Sequence, residues 1–171
     1  MRAAWRGLAP VVLRGLARVG LVLAMIGIGA PAQADADRLP PLATTTLDGQ
    51  PFAINPAARA VVVVHFWATW CAPCRADMPI LDAAFQRHRN DGLRMVGISL
   101  DTAASRSRIL AGGMGVHFPL IRAGDTHLRP RDLPTALPET RIYGRDGAVL
   151  ARFGPLDAAR FAAALDKALA R

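Results

Sequence analysis

Two cysteines in the stretch HFWATWCAPC are the residues of this sequence best suited to carry out chemistry. Cys71 and Cys74 are the only cysteines among 171 residues, and two residues separate them. A disulfide between such close positions encloses almost no chain, so it would stabilise the fold little. A structural zinc site takes four ligands, and none of the four histidines adds a second pair at short spacing. The spacing therefore favours a redox-active dithiol.

The cysteines fall at the predicted amino end of a helix that spans residues 73–89. Apolar side chains recur in this stretch at steps of three and four residues. Pro73 suits the first turn, where a missing N–H is harmless. Unpaired N–H groups at a helix amino end favour a thiolate, so we expect Cys71 to be the attacking sulfur. Cys74, further into the helix, should be shielded and should resolve the mixed disulfide.

Strands and helices alternate around this site. The continuous β-branched run AVVVVHFW is typical of a strand covered on both faces. The stretch TTTLDGQPF before it predicts a short hairpin, with Asp48 and Gly49 in the turn. After the hairpin the pattern predicts the order β-α-β-α-β-β-β-α. The predicted strands are residues 60–67, 93–100, 117–123, 139–143 and 148–154, and the predicted helices are residues 73–89, 102–112 and 156–171.

The amino-terminal segment has the pattern of an export signal. A basic region up to Arg18 precedes an uncharged apolar run, and Ala32-Gln33-Ala34 has the small-x-small form of a cleavage site. We predict a signal peptide over residues 1–34 and one domain over residues 35–171. An uncleaved membrane anchor is the alternative, although the uncharged run at 19–34 is shorter than the roughly 20 residues of a membrane span. Either outcome places the domain outside the cytoplasm, in a bacterial periplasm.

The net charge of +8 is carried almost entirely by arginine. Four of the arginines lie in the first twenty residues, which leaves 17 basic against 13 acidic residues. The excess is spread along the sequence without a basic block or interleaved aromatic residues. Such a distribution argues weakly for nucleic acid, and we interpret it as solubility.

The string FWATWCAPCRA resembles the active-site segment of the thioredoxin-fold thiol-disulfide oxidoreductases, specifically the exported TlpA/ResA/DsbE group that serves cytochrome c maturation. The resemblance covers about residues 39–171, and MVGISLD and FPLI fall where the group has its next strands. It implies a thioredoxin fold: a three-layer α/β/α sandwich with a central mixed sheet and an N-terminal β-hairpin extension.

The resemblance also implies an activity and its partners. We expect a periplasmic reductant of protein disulfides that receives electrons from a membrane thiol carrier. The triplet Pro138-Glu139-Thr140 resembles the Pro-Glu-Thr of the DsbE branch and favours apocytochrome c or a related exported thiol protein as substrate. No cofactor and no nucleic acid partner are implied, and we expect a monomer.

Family members have a cis-proline that faces the dithiol and starts the strand before the terminal hairpin. Pro138 matches this register, whereas Pro134 comes four residues too early. The resemblance then makes Leu137 the residue whose backbone pairs with a bound substrate chain. Trp70, next to Cys71, is expected to form part of the docking surface.

Two departures from the family concern proton transfer. His65 stands where relatives have a buried Asp or Asn, and Asp77 stands where the group often has Glu. Asp77 is either an acid or base or an ordinary first-turn charge. His65 is either charged, in which case it favours the thiolates, or a neutral core residue. Glu139 is a third candidate for proton handling.

Two other functions are compatible with the cysteine pair. A copper-binding chaperone would use Cys71, Cys74 and a distant histidine such as His117 or His127, because soft thiolates select Cu(I). It requires these side chains to converge. A thiol peroxidase fits less well, because its reactive cysteine does not normally lie in Cys-x-x-Cys after tryptophan.

Overall fold

The valine-rich run forms the central strand of a five-stranded mixed sheet. The computed structural model describes residues 38–171, with strands β1 (Leu42–Thr45), β2 (Pro51–Ile54), β3 (Val61–Trp67), β4 (Leu93–Ser99), β5 (Leu120–Arg122), β6 (Glu139–Tyr143) and β7 (Val149–Phe153) and helices α1 (Ala72–His88), α2 (Ala104–Gly113) and α3 (Ala158–Leu169). The predicted order of elements is confirmed. The predicted signal peptide at residues 1–34 lies outside the described residues.

β3 lies parallel to β4 on one side and antiparallel to β6 on the other. The order across the sheet is β5-β4-β3-β6-β7. Every residue of β3 is buried, as its unbroken apolar pattern predicts. The central mixed sheet of the predicted fold is therefore confirmed.

Two apolar clusters cover the two faces of the sheet. Odd-numbered residues of β3, among them Trp67, pack with α1 and α3. Even-numbered residues, among them Phe66, pack with the amino-terminal hairpin. Cys71 and Cys74 belong to the first cluster. Since side chains alternate along a strand, His65 lies on the same face as the dithiol helix.

The layer over the second face consists of the β1–β2 hairpin and the segment 123–137. The predicted hairpin is confirmed, with Leu42 opposite Ile54 and a turn in which Gly49 has φ +91°. Pro130 and Pro134 punctuate the segment before β6, which forms only the short 3₁₀ turns Ala123–Asp125 and Pro130–Asp132. Hairpin and loop thus occupy the place of the second helical layer that the resemblance implies.

Among residues 38–171, no helix combines the length and the apolar character needed to cross a bilayer.

Candidate active site

The two cysteines lie where β3 ends and α1 begins. Cys71 is the N-cap residue of α1, and its sulfur accepts a hydrogen bond from the Cys74 N–H at 3.2 Å. The two sulfurs form a disulfide. Cys74 is completely buried, whereas 5% of Cys71 is exposed. Cys71 is therefore the more accessible sulfur for a partner. It also accepts a hydrogen bond from an N–H group, and such a bond stabilises a thiolate.

A cis peptide bond lies at the same end of the sheet. It joins Leu137 to Pro138, so the prediction of a cis-proline at position 138 is confirmed. β6 begins at the next residue, and Glu139 is opposite Phe66 near the end of β3. Leu137 is half-buried and packs against both apolar clusters. The register of β3 and β6 thus places this proline at the end of the sheet from which the cysteine loop emerges.

Trp70 and Trp67 differ sharply in exposure. Trp70, next to Cys71, is 70% exposed, whereas Trp67 is completely buried in the cluster beneath the dithiol helix. An exposed aromatic ring beside a reactive sulfur offers a large apolar contact surface. Its predicted part in docking is compatible with this placement and stays a prediction.

His65 is a buried, neutral side chain beneath the dithiol helix. Its Nδ1 shares a 2.9 Å hydrogen bond with the hydroxyl of Thr140, the residue opposite it on β6. Burial lowers the pKa of His65 to about 4, and a contact with the backbone of Cys74 offsets only part of this effect. Its Nε2 has no hydrogen-bond partner among residues 38–171. Of the two interpretations of His65, the neutral one fits this environment.

Asp77 is a buried carboxyl group one helical turn after Cys74. Its Oδ1 accepts a hydrogen bond from the Leu156 N–H at 3.0 Å, and its Oδ2 has no partner within the described part of the chain. Burial raises the pKa of Asp77, while the bond from Leu156 opposes this shift. A half-satisfied buried carboxyl with a raised pKa is suited to exchange a proton. This environment is compatible with a role of Asp77 as an acid or base, which stays a prediction.

Glu139 lies apart from these groups. It forms ion pairs with Arg141 and Arg152. Arg141 also stacks on the ring of Phe66, with its Cζ 4.7 Å from the ring centre, so it occupies the sheet face opposite His65. The structure therefore does not bring Glu139 together with the buried groups beneath the dithiol.

A buried carboxylate that the sequence analysis missed holds the loop before Cys71. Asp101 lies two residues after the end of β4 and accepts hydrogen bonds from the N–H and the hydroxyl of Thr69, at 3.1 Å and 2.9 Å. The hydroxyls of Ser99 and Ser107 donate to it at 2.8 Å and 3.1 Å. Burial alone would raise the pKa of Asp101, but the hydrogen bonds from Ser99, Thr69 and Ser107 hold it below its usual range.

Thr69 is held from its other side by Arg75, which donates to its carbonyl oxygen at 2.5 Å. Asp101 and Arg75 together fix the backbone two residues before Cys71. A signal for Asp101 was present in the sequence, because the carboxyl ends of adjacent parallel strands meet at one edge of a sheet. The run MVGISLD ends a strand next to the one that leads to the cysteines.

The convergence that a copper site requires is not found among the described residues. His117 lies on the surface, where its Nδ1 is 3.0 Å from Asp82 Oδ2. Within residues 38–171 no group of three or more His, Cys, Asp or Glu side chains is arranged to hold a metal ion. Within the described region, no histidine is therefore placed to join Cys71 and Cys74 as the third ligand of a copper ion.

Comparison with known proteins gives a consistent set of relatives. The sequence pattern of the AhpC/TSA family matches residues 36–128. The chain is 31% identical over 91 residues to the thioredoxin-like protein YneN of Bacillus subtilis (strain 168), which covers 51% of this chain and 52% of YneN. It is 22% identical over 111 residues to the thiol-disulfide oxidoreductase ResA of Bacillus cereus, which covers 65% of this chain and 64% of ResA. The matches thus span about half the length of YneN and about two thirds of the length of this ResA.

Solved structures share the fold. A thiol:disulfide interchange protein of the thioredoxin family from Chlorobium tepidum TLS superposes with a TM-score of 0.67 at 24% identity, covering 77% of this chain and 95% of that one. A secreted Mycobacterium tuberculosis disulfide oxidoreductase homologous to E. coli DsbE superposes with a TM-score of 0.64 at 18% identity, covering 78% and 98%. These likenesses show the thioredoxin fold.

Proposed function

We propose, on the premise that this chain belongs to the AhpC/TSA family, that it is a thiol-disulfide oxidoreductase that reduces protein disulfides through Cys71 and Cys74. The observation that carries the proposal is the hydrogen bond from the Cys74 N–H to the Cys71 sulfur at the start of α1. In the reduced protein this N–H and the helix dipole stabilise the Cys71 thiolate. The burial of Cys74 keeps the second sulfur away from other partners.

The reaction proceeds by two thiol-disulfide exchanges. The Cys71 thiolate attacks one sulfur of the substrate disulfide, forms a mixed disulfide and releases the other substrate sulfur as a thiolate. Cys74 then gives up its proton and attacks the Cys71 sulfur, which frees the second substrate thiol. The substrate gains two electrons and two protons, and the protein is left in the disulfide state. A dithiol donor returns it to the reduced state by the reverse exchanges.

The sequence supports a proposal for the location and the partners. The signal-like segment at residues 1–34 supports export to the periplasm, where a membrane thiol carrier would supply electrons to the domain, which we take to be a monomer. The Pro138-Glu139-Thr140 triplet supports apocytochrome c or a related exported thiol protein as the substrate. Amino-terminal sequencing of the exported protein should find a chain that starts near Asp35, and a full-length membrane-bound chain would reject cleavage.

The cysteine roles are tested by comparing the Cys71→Ala and Cys74→Ala variants. Both variants lose the disulfide, so each is the matched control for the other, and a difference between them reflects role rather than loss of the cross-link. We expect Cys71→Ala to lose insulin reduction entirely. We expect Cys74→Ala to accumulate a mixed disulfide with its substrate, which non-reducing electrophoresis and mass spectrometry would identify.

The role assignment fails if Cys71→Ala keeps most of its activity or if only Cys71→Ala traps a partner. The activity itself fails if the wild-type protein reduces neither insulin nor a synthetic disulfide peptide in the presence of excess dithiol.

A further inference from the structure

The positive charge of the domain is concentrated at the end of the sheet farthest from the dithiol. We define the basic end as the residues at the amino ends of β3 and β4, the carboxyl ends of α1 and α3, the β6–β7 turn, and Arg38, which is bonded to that turn. It carries three carboxylates, Asp91, Asp146 and Asp166, and eight basic side chains, Arg38, Arg59, Arg87, Arg89, Arg94, Arg145, Lys167 and Arg171. The basic end thus has a net charge of +5.

The rest of the domain is close to neutral. Residues 38–171 contain 17 basic and 11 acidic side chains, a net charge of +6, so everything outside the basic end contributes +1. The excess is spread along the sequence, and only folding brings it together. β3 separates the basic end from the cysteine loop by about 20 Å, since a strand rises about 3.3 Å per residue.

Hydrogen bonds join the separate segments into one surface. Arg38 donates to the carbonyl oxygen of Asp146 at 2.6 Å. Arg145 donates to the carbonyl oxygens of Arg59 and Leu169, both at 3.3 Å. The segment before β3, the β6–β7 turn and the end of α3 therefore meet at this end of the molecule.

The cations of the basic end are not neutralised by carboxylates. Among residues 38–171, no ion pair joins one of the eight side chains to Asp or Glu, and two of the three local carboxylates contact His88 instead. Three of the eight donate to backbone carbonyls, which leaves their charge in place, and these are Arg38, Arg94 and Arg145. The field of the basic end is therefore available to an external anion.

The surroundings favour a lipid surface over nucleic acid. Leu150 is one of three large exposed apolar side chains in the described region, and it lies beside Gly144 at the rim of the basic end. Among residues 38–171 the exposed aromatic Trp70 is at the opposite end, and the His88 ring at the basic end is only 17% exposed, so the basic end offers no open ring on which a base would stack. Arg38 also follows the apolar run that ends at Ala30 by only a few residues.

We propose that the basic end binds the surface of an anionic phospholipid bilayer and holds the dithiol facing away from it. Each lysine or arginine close to an anionic surface strengthens binding about fivefold, and the attraction fades within a Debye length of about 8 Å at physiological salt. The contact keeps the domain at a membrane even after cleavage of the amino-terminal segment. The proposal does not depend on the redox activity.

Vesicle sedimentation tests the proposal with the full exported chain. The probes are vesicles of phosphatidylcholine alone and of phosphatidylcholine with phosphatidylglycerol, each at low and high salt. We expect binding to rise with phosphatidylglycerol and to fall at high salt. The triple variant Arg59→Gln, Arg87→Gln, Arg89→Gln should lose about a hundredfold of the phosphatidylglycerol-dependent affinity. A retained amino-terminal segment would contribute its own four arginines to binding, but this contribution is the same in the wild type and in both variants, so it does not affect their comparison.

The matched control is the triple variant Arg106→Gln, Arg108→Gln, Arg160→Gln, which removes three exposed arginines outside the basic end. It has the same net charge as the first variant and should bind the anionic vesicles nearly as the wild type does. Both variants should keep the wild-type rate of insulin reduction, which verifies folding. Equal losses in the two variants would show an effect of net charge alone and overturn the proposal. Duplex DNA binding that matches vesicle binding and is lost in the same variant would overturn it as well.

Discussion

Replacing His65 with asparagine should flatten the dependence of stability on acid pH. His65 is completely buried, and burial lowers its pKa to about 4, compared with 6.5 in an unfolded chain. Between these values the unfolded state binds a proton that the folded state excludes. The contribution of His65 to stability is therefore fully present above pH 6.5 and is lost as the pH falls toward 4.

The size of this effect follows from the two pKa values. A difference of one pKa unit corresponds to 1.36 kcal/mol, so the full loss is about 3 kcal/mol. Relative to pH 7.5, the wild-type protein should lose about 1 kcal/mol through His65 at pH 5.5 and about 2 to 3 kcal/mol at pH 4.5. The raised pKa of Asp77 acts in the opposite direction, but Asp77 is present in both proteins and cancels in the comparison.

Urea unfolding monitored by tryptophan fluorescence, with the disulfide intact, measures the difference. We expect His65→Asn to be less stable than the wild type at pH 7.5, because it loses packing and a buried hydrogen bond, and to lose less stability on acidification. His127→Asn is the matched control, since His127 is exposed, and it should retain the wild-type pH dependence. Parallel curves for the wild type and His65→Asn from pH 7.5 to 4.5 would refute a buried neutral His65.

Two further substitutions test the groups that flank the dithiol. Asp101→Ala should destabilise the protein by about 3 kcal/mol in urea unfolding, because it leaves the Thr69 N–H and buried hydroxyls without an acceptor. Asp125→Ala, at a more exposed carboxylate, should have a much smaller effect, and equal effects would contradict the role of Asp101 in holding the loop at Thr69. Asp77→Asn should slow the release of the mixed disulfide about a hundredfold near neutral pH and remove the pH dependence of that step in stopped-flow measurements, whereas an unchanged pH profile would exclude Asp77 from proton transfer.

Local patterns of the sequence were sufficient to predict the parts of the site that depend on one element and its neighbour. The unbroken run of valines identified the central strand, and the proline two residues after Cys71 marked the start of the dithiol helix. Pro138 was found because its distance from the terminal hairpin matches the family. Each of these features rests on a short stretch whose periodicity or spacing is visible in the chain.

Features that depend on side chains from distant segments could not be read in the same way. Asp101 reaches Thr69 only because β4 pairs with β3, and Thr140 reaches His65 only because β6 does. The arginines of the basic end come from separate segments of the chain. Their positions in the sequence therefore indicated only surface charge spread over the domain. The prolines of segment 123–137 predicted a loop. They did not predict that this loop would pack on the second face of the sheet in place of a helical layer.

The buried groups beneath the dithiol bear on how the cysteines divide their roles. Burial shifts the pKa of His65 down and that of Asp77 up, so both shifts favour uncharged side chains around Cys74. A charged His65 would have favoured the thiolates and made the protein more oxidising, but its burial removes the basis for that interpretation. The local stabilisation of a thiolate then comes from the start of α1, where the Cys74 N–H points at the Cys71 sulfur. This field acts on the N-cap sulfur, which supports the proposal that Cys71 attacks. In the proposed reaction Cys74 keeps its proton until the ionised form of Asp77, made more basic by its raised pKa, accepts it in the mixed disulfide.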